Sequence, residues 1–202
     1  MRKVKHHPAL PYGEIGAFMG ALRAQEGIAA RALEFTILTA ARSGEVRGAR
    51  HAEVDADALT WTIPEGRIKG GKEHRVPLST QAQSIVVEMR KHAVDDLVFP
   101  GRKARRPLSD HAMLEVLNRM GYGHLTVHGF RSTFRDWAAE LTNFPSEVIE
   151  MALAHAVGDK VEAAYRRGDL FEKRRRLMEA WAAYCAAPAK AGKVVQMRRA
   201  GE

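Results

Sequence analysis

Hydrophobic side chains recur every three to four positions along most of this chain, the spacing that puts them on one face of an α-helix. The first such face is formed by Ile15, Phe18, Met19 and Leu22. It predicts a helix that begins near Tyr12. Comparable faces occur at residues 28–41, from residue 80 onward, and at 108–121, 128–142, 145–155 and 170–186. The chain is therefore predicted to be mostly helical.

Three of these segments are preceded by residues that favour the start of a helix. Ser79 and Thr80 precede one segment, since short side chains with an oxygen accept hydrogen bonds from the first free amides. Ser109 or Asp110 can cap another in the same way. Pro145 lies where the first turn of a helix accepts proline. These signals agree with the hydrophobic spacing.

Residues 59–78, "LTWTIPEGRIKGGKEHRVPL", have a different character. β-Branched and aromatic residues surround Gly70 and Gly71, which predicts two strands joined by a tight hairpin. A two-residue turn would pair Lys69 with Lys72 and point both side chains to one face. The predicted fold class is α+β, mostly α-helical, with a small antiparallel β-sheet inserted early.

The charge balance narrows the choice of partners. Of 202 residues, 32 are Lys or Arg and 24 are Asp or Glu, a net charge of +8. This excess favours nucleic acid first and an anionic membrane surface second. The single cysteine, Cys185, excludes an internal disulfide framework and a Cys-rich zinc site. No stretch approaches the roughly 20 apolar residues of a membrane span, and no secretory signal begins the chain.

Four patches carry candidate chemistry for a phosphate group: "RSGE" at 42–45, "KGGK" at 69–72, "HGFR" at 128–131, and the pair His155 and Tyr165 in an Ala-rich, helical-looking stretch. Each also has an ordinary explanation. The first can be a helix end that a glycine stops. The second can be a solvated hairpin tip, the third a helix start, and the fourth a pair of packing residues. No patch is specific by itself.

Their order is specific. The series Arg, Lys, His-x-x-Arg, His, Tyr resembles the catalytic domain of tyrosine recombinases, the phage-integrase family, over roughly residues 11–186. "ARSGEVRGAR" is similar to the first arginine box, "HGFRSTFRDW" to the His-x-x-Arg box, and "LAHAVGDKVEAAYRRG" to the segment with the later histidine and the nucleophile. The positions matched are Arg42, Glu45, His128, Arg131, His155 and Tyr165. The pattern is closest to integrases of prophages and genomic islands.

The hairpin lysine of that family stands eight residues before the proline of a "VPL" strand, which selects Lys69 over Lys72 here. In one departure from the pattern, Ala154 replaces the glycine that commonly precedes the later histidine. We expect little consequence, because alanine leaves the backbone nearly as open.

The resemblance implies a transesterification on a DNA phosphodiester, in which Tyr165 attacks phosphorus and a 5′-hydroxyl leaves. His128 would take the tyrosine proton, and Lys69 would protonate the leaving oxygen. The two arginines and His155 would hold the non-bridging oxygens. Glu45 would support that cluster. No metal and no cofactor is implied. Tyr12, Tyr122 and Tyr184 stay available as other nucleophiles, and Tyr184 fits a packing role better.

The resemblance also implies an organisation and partners. Residues 1–11 are expected to be a linker from upstream domains that this chain has no room for, 12–186 the catalytic domain, and 187–202 a basic tail. Double-stranded DNA is the expected partner. A homotetramer on DNA is expected for the full-length enzyme and a monomer for this chain alone, in the bacterial cytoplasm at the nucleoid. The competing interpretations are a type IB topoisomerase and a catalytically idle DNA-binding remnant.

Overall fold

A computed structural model describes residues 8–68, 71–91, 93, 95–103, 105–155 and 168–187. That part of the chain contains eight α-helices: α1 Ile15–Arg23, α2 Ile28–Thr39, α3 Ser43–Arg47, α4 Thr80–Lys91, α5 Ala112–Arg119, α6 Gly129–Leu141, α7 Ser146–Ala152 and α8 Phe171–Ala186. Three strands, β1 Val54–Asp55, β2 Thr60–Ile63 and β3 His74–Pro77, form an antiparallel sheet in the order β1-β2-β3. The predicted fold class is confirmed.

Helix α2 is the centre of the core. Every residue from 32 to 39 is buried, as expected of a helix surrounded by other elements on all sides. It contacts α1, α3, α4, α5, α6 and α8. The buried Glu34 is neutralised by Arg23 at 2.7 Å and Arg31 at 2.9 Å. The indole of Trp181 on α8 donates a hydrogen bond of 2.8 Å to the carbonyl of Ile37.

The end of α2 differs from the expected one. The helix stops at Thr39 because Ala40 adopts a left-handed conformation, with φ of 50°. Gly44 does not stop this helix, since it lies inside the short helix α3. Arg42 is the N-cap of α3. The chain therefore reverses between α2 and α3, and this reversal points the Ala40 carbonyl toward α6.

The hydrophobic face predicted at 128–142 places Phe130, Phe134 and Trp137 of α6 in the core. The last residue of α6, Leu141, ends that predicted face but is 54% exposed. The rings of Phe134 and Trp137 pack against Trp181, with centroids 5.5 and 4.9 Å away. Within the described ranges, no helix combines the length and the apolarity that a bilayer crossing requires.

The hairpin between β2 and β3 is longer than predicted. The last cross-strand pair is Ile63 with His74, and residues 64–73 connect the strands through a short 3₁₀ helix, Glu65–Arg67. The expectation that a two-residue turn joins the strands directly is therefore wrong. The ladder ends at that pair because the chain leaves the sheet for the 3₁₀ helix, of which Pro64 is the N-cap residue. Lys69 and Gly70 lie outside the described residues.

The predicted helix starts are only partly right. Ser79 does cap α4, because its hydroxyl accepts the amide of Ala82 at 3.2 Å. Helix α5 instead begins after His111, one residue beyond the expected Asp110. Helix α7 ends at Ala152, so the helical spacing of 145–155 extends past the true end.

A buried arginine holds the last helix to the sheet. Arg174 of α8 is 1% exposed and donates hydrogen bonds to the carbonyl of Arg75 on β3 at 2.6 Å and of Asp169 at 2.8 Å. It also pairs with the carboxylate of Asp169 at 2.7 Å. Since a buried charge needs such partners, Arg174 fixes β3, residues 168–170 and α8 to one another.

The close approach of the N-terminal segment to α6 gives a stability prediction. A Cβ atom at Gly129 would lie 2.1 Å from the Pro8 carbonyl oxygen, which also accepts the amide of Thr126 at 3.3 Å. We expect Gly129→Ala to lower the free energy of unfolding by about 1–3 kcal/mol, measured by urea denaturation. Gly44→Ala is the control, because nothing lies within 4 Å of its Cβ. Helix propensity should make that change neutral or stabilising by up to about 1 kcal/mol. Equal losses in both variants would contradict the steric explanation.

Candidate active site

Arg42 and Glu45 form a rigid unit at the start of α3. The carboxylate of Glu45 accepts the backbone amide and the guanidinium of Arg42, each at 2.8 Å. Glu45 is buried, whereas the side chain of Arg42 is 28% exposed. The second terminal nitrogen of Arg42 approaches the Ala154 carbonyl at 3.4 Å. Glu45 thus holds the guanidinium of Arg42 in place.

Arg131 is held by the ends of two other helices. It lies in the first turn of α6 and is only 6% exposed. Its guanidinium donates hydrogen bonds to the Ala40 carbonyl, after α2, and to the Leu153 carbonyl, after α7, the latter at 2.6 Å. Helix C-termini carry a partial negative charge, so both carbonyls favour a cation there. Three helices converge on this one side chain.

Two like charges share the site. Burial, followed by the nearby positive charge of Arg42, lowers the pKa of Arg131 to about 10. The group therefore remains protonated at neutral pH. Two neighbouring guanidiniums, one partly open to solvent, attract an anion that can accept hydrogen bonds from both, and phosphate oxygens match their fork-shaped donors.

His155 lies at the end of α7, in contact with Arg131. Its Nε2 is 3.1 Å from a terminal nitrogen of Arg131, and its Nδ1 is 2.5 Å from a carboxylate oxygen of Glu150. A guanidinium has only donors, so Nε2 accepts and Nδ1 carries the proton. In this arrangement His155 is a neutral acceptor, whereas the resemblance implied a donor to phosphate. It becomes a donor at Nε2 only after taking up a further proton.

The backbone of Ala154 corrects one expectation. Its φ is +50°, in the left-handed region that disfavours side chains. The glycine common at this position is therefore favoured by conformation rather than by open space. The backbone amide of His155 donates to the Glu150 carbonyl, and the amide of Ala154 donates to the Met151 carbonyl. With the left-handed Ala154, these two bonds form a Schellman motif.

Of the other predicted site residues, the structure describes only His128. His128 is the exposed N-cap residue of α6, three positions before Arg131. Lys69 and Tyr165 lie outside the described residues. The structure thus brings Arg42, Glu45, Arg131 and His155 into one connected cluster. Among the described residues, no three His, Cys, Asp or Glu side chains form a group suited to a metal ion.

The three remaining tyrosines have structural contacts. Tyr12 donates a hydrogen bond of 2.7 Å to Glu140, which raises its pKa. The ring of Tyr122 packs edge-on against Phe18 at 5.0 Å. Tyr184 stacks on Trp181 at 6.2 Å, and partial burial raises its pKa. A raised pKa makes the nucleophilic phenolate harder to form.

Two residues around the cluster were not predicted. Glu150 joins His155 to Arg135, whose Nε lies 2.7 Å from the second carboxylate oxygen. His74 on β3 donates a hydrogen bond to the Ala152 carbonyl, and burial, reinforced by Arg174, lowers its pKa to about 4. Glu150 lies five positions before His155, beyond the three- or four-residue spacing of neighbours on a helix, so the sequence pattern did not point to it. His74 stands three residues before Pro77, in a strand that offered no signal for it either.

Solved structures of DNA recombinases share this fold. XerH site-specific recombinase bound to difH substrate matches with a TM-score of 0.60 at 19% identity, over 79% of this chain and 54% of that one. A lambda integrase dimer bound to a COC′ core site matches with a TM-score of 0.58 at 16% identity, over 78% of this chain and 60% of that one. At these identities the likeness establishes the fold alone.

Sequence relatives establish the family. The chain belongs to the phage integrase family, whose model matches residues 10–170. It is 34% identical to the integrase of Enterobacteria phage P4, over 90% of this chain and 46% of that protein. It is 38% identical to the prophage integrase IntA of Escherichia coli (strain K12), over 72% of this chain and 36% of that protein. The chain thus spans about half the length, or less, of these curated relatives.

The strain at Ala154 predicts a stabilising substitution. Ala154→Gly relieves the left-handed penalty of about 1–2 kcal/mol, partly offset by the greater freedom of glycine in the unfolded chain. We expect a net gain of up to about 1 kcal/mol in urea denaturation. Ala152→Gly, two residues earlier at the end of α7, should lose about 1 kcal/mol because it removes helix propensity without relieving strain. A loss at both positions would show that the φ of Ala154 carries no strain.

Proposed function

We propose that the chain is the catalytic unit of a site-specific DNA recombinase, an integrase that cleaves and rejoins DNA strands through a 3′-phosphotyrosyl intermediate. The observation that carries the proposal is the cluster of Arg42, Arg131 and His155. Arg42 and Arg131 are neighbouring cations, Arg131 is buried, and His155 contacts Arg131. Membership of the phage integrase family supports the same reaction.

The proposed step is an in-line displacement at phosphorus. The phenolic oxygen of Tyr165 forms a bond to phosphorus, the bond to the 5′-oxygen breaks, and the proton of the tyrosine passes to His128. Lys69 gives a proton to the leaving 5′-oxygen. Religation is the reverse, so no external energy source is needed. A free tyrosine has a pKa near 10, which is why a base is needed at neutral pH.

The arginines act on the phosphate itself. Negative charge grows on the non-bridging oxygens as the transition state forms, and donors already held in place stabilise it without reorganising. Arg42 is held by Glu45 and Arg131 by two helix-end carbonyls. Each such donor lowers the free-energy barrier of the reaction by on the order of 3 kcal/mol. This fixed geometry favours a recombinase or topoisomerase over an idle DNA-binding remnant.

The partner we propose is double-stranded DNA in the bacterial cytoplasm, at the nucleoid. We further propose that the full-length enzyme acts as a homotetramer on DNA, whereas this chain alone is a monomer. Residues 187–202 are basic and small, so they offer little apolar surface for a partner subunit. Residues 1–11 would be the linker to upstream domains and 12–186 the catalytic domain.

The nucleophile is tested by trapping the covalent intermediate. The probe is a pool of randomised duplexes with a nick beside each candidate phosphate, so that the short fragment carrying the 5′-hydroxyl diffuses away after cleavage. We expect a denaturant-resistant protein–DNA adduct, and we expect Tyr165→Phe to abolish it without loss of DNA binding.

Tyr184→Phe is the matched control and should retain the adduct. An adduct that persists in Tyr165→Phe contradicts the assignment of the nucleophile. If the unmodified chain forms no adduct with any sequence of the pool, the result favours the idle remnant. Relaxation of supercoiled DNA without strand exchange between duplexes favours the topoisomerase.

The leaving-group acid is tested with a modified substrate. Sulfur in place of the bridging 5′-oxygen gives a thiolate that leaves without a proton. We expect Lys69→Ala to cleave the normal duplex at least about 100-fold more slowly, within the usual range for lost acid catalysis, and to recover on the sulfur substrate.

Arg131→Ala should not recover, because its role is to stabilise charge on the phosphate. Lys72→Ala is the matched control on the same hairpin and should behave as the unmodified protein. Recovery of Lys72→Ala instead of Lys69→Ala would reassign the acid.

A further inference from the structure

Glu150 and His155 are brought together by the way α7 ends. In a Schellman motif the amide of the residue called C″ bonds to the carbonyl of the residue called C3. Here these are His155 and Glu150, and that hydrogen bond is 2.9 Å long. The motif commonly brings the side chains of these two positions into apolar contact. In this chain the contact is a hydrogen bond between carboxylate and imidazole, 2.5 Å long.

The two ring nitrogens of His155 therefore have fixed and different partners. Nδ1 donates to Glu150, and Nε2 accepts from Arg131 at 3.1 Å. The opposite tautomer would place an N–H against a guanidinium that has only donors, and would leave Glu150 without a proton to accept. Both neighbours thus select the same tautomer and the same ring orientation.

Glu150 is itself held in its charged form. Partial burial of its carboxyl opposes ionisation, but the hydrogen bonds from His155 and Arg135 outweigh that effect and lower the pKa of Glu150. Arg135 is 59% exposed, so this outer partner lies at the surface, while His155 lies on the side of Arg131. The chain of contacts runs from Arg135 through Glu150 and His155 to the buried arginine.

We propose that Glu150 is a positioning residue that sets the tautomer and the ring orientation of His155. It keeps Nε2 facing the phosphate-binding arginine, and its negative charge supports the imidazolium that forms when Nε2 takes a proton from solvent. His155 then changes from an acceptor of Arg131 to a donor toward a phosphate oxygen. This inference rests on the proposed function, since it assigns a partner to one of the proposed catalytic residues.

The first test needs no DNA. Nitrogen-15 NMR of the histidine rings, with His155→Ala to assign the signal, reports which nitrogen carries the proton. We expect the Nδ1–H form in the unmodified protein. In Glu150→Ala only Arg131 still favours that tautomer, so we expect a measurable fraction of the Nε2–H form, seen as an exchange average. Glu150→Gln should retain Nδ1–H, because its amide oxygen still accepts at the same reach. An unchanged His155 signal in Glu150→Ala would overturn the proposal.

The second test uses single-turnover cleavage of a duplex recovered from the randomised pool. We expect Glu150→Ala to slow cleavage by about 10- to 100-fold, as when a histidine loses an orienting partner, with DNA affinity changed less than about twofold. Glu150→Gln should lose less. In a His155→Ala background, Glu150→Ala should add no further loss, whereas a purely structural role would add its full effect.

Arg135→Ala is the matched control, since it removes the outer contact of Glu150 and leaves the contact with His155. It should cleave within about threefold of the unmodified protein, and a loss as large as that of Glu150→Ala would overturn the proposal. If Glu150→Ala proves unfolded, Glu150→Gln and the double variant with His155→Ala carry the comparison. Absence of any adduct from the unmodified protein counts against the proposed function, while the NMR test still decides the position of His155.

Discussion

The burial of the Arg131 guanidinium is the constraint on which the candidate site depends. Removing such a charge from water costs several kcal/mol unless its donors are satisfied. The chain satisfies them with the carbonyls of Ala40 and Leu153, at the ends of two helices, and with the ring of His155. Helices α2 and α7 must therefore both end beside the start of α6. The positions of Arg42, after α2, and of His155, after α7, follow from that requirement.

Left-handed alanines make these helix ends possible. Ala40 and Ala154 both have φ of 50°, a conformation that glycine adopts without strain. Each turns the chain sharply enough to leave a carbonyl facing an arginine: that of Ala40 faces Arg131 and that of Ala154 faces Arg42. Two of the five left-handed non-glycine residues in the described part of the chain thus lie beside the two arginines, and local strain is common at functional sites.

The sequence predicted the fold class and the residues of the cluster because both leave strong patterns. Helical spacing predicted the helices, and the order of the basic residues with His155 predicted the candidate site. It could not predict where the β2–β3 ladder stops, since the chain leaves the sheet at Pro64 for a short 3₁₀ helix, well before the glycines that suggested a turn. Nor could it predict Glu150, whose role exists only because a helix end folds it back onto His155. The sequence pattern thus missed the features that depend on how the folded chain brings distant or non-periodic positions together.

The described framework also fixes the points where the chain enters and leaves residues 156–167, the stretch that contains Tyr165. On one side His155 is held by Glu150 and Arg131. On the other, Asp169 is held by the buried Arg174, which also binds the carbonyl of Arg75 on β3. The same arginine therefore joins the exit of that stretch to the strand that follows the Lys69 hairpin. A substitution at Arg174 would disturb the flanks of both proposed catalytic segments at once, whereas one at Glu150 acts on the entry alone. The two ends of the proposed nucleophile segment are thus held by different contacts, one through Glu150 and the other through Arg174.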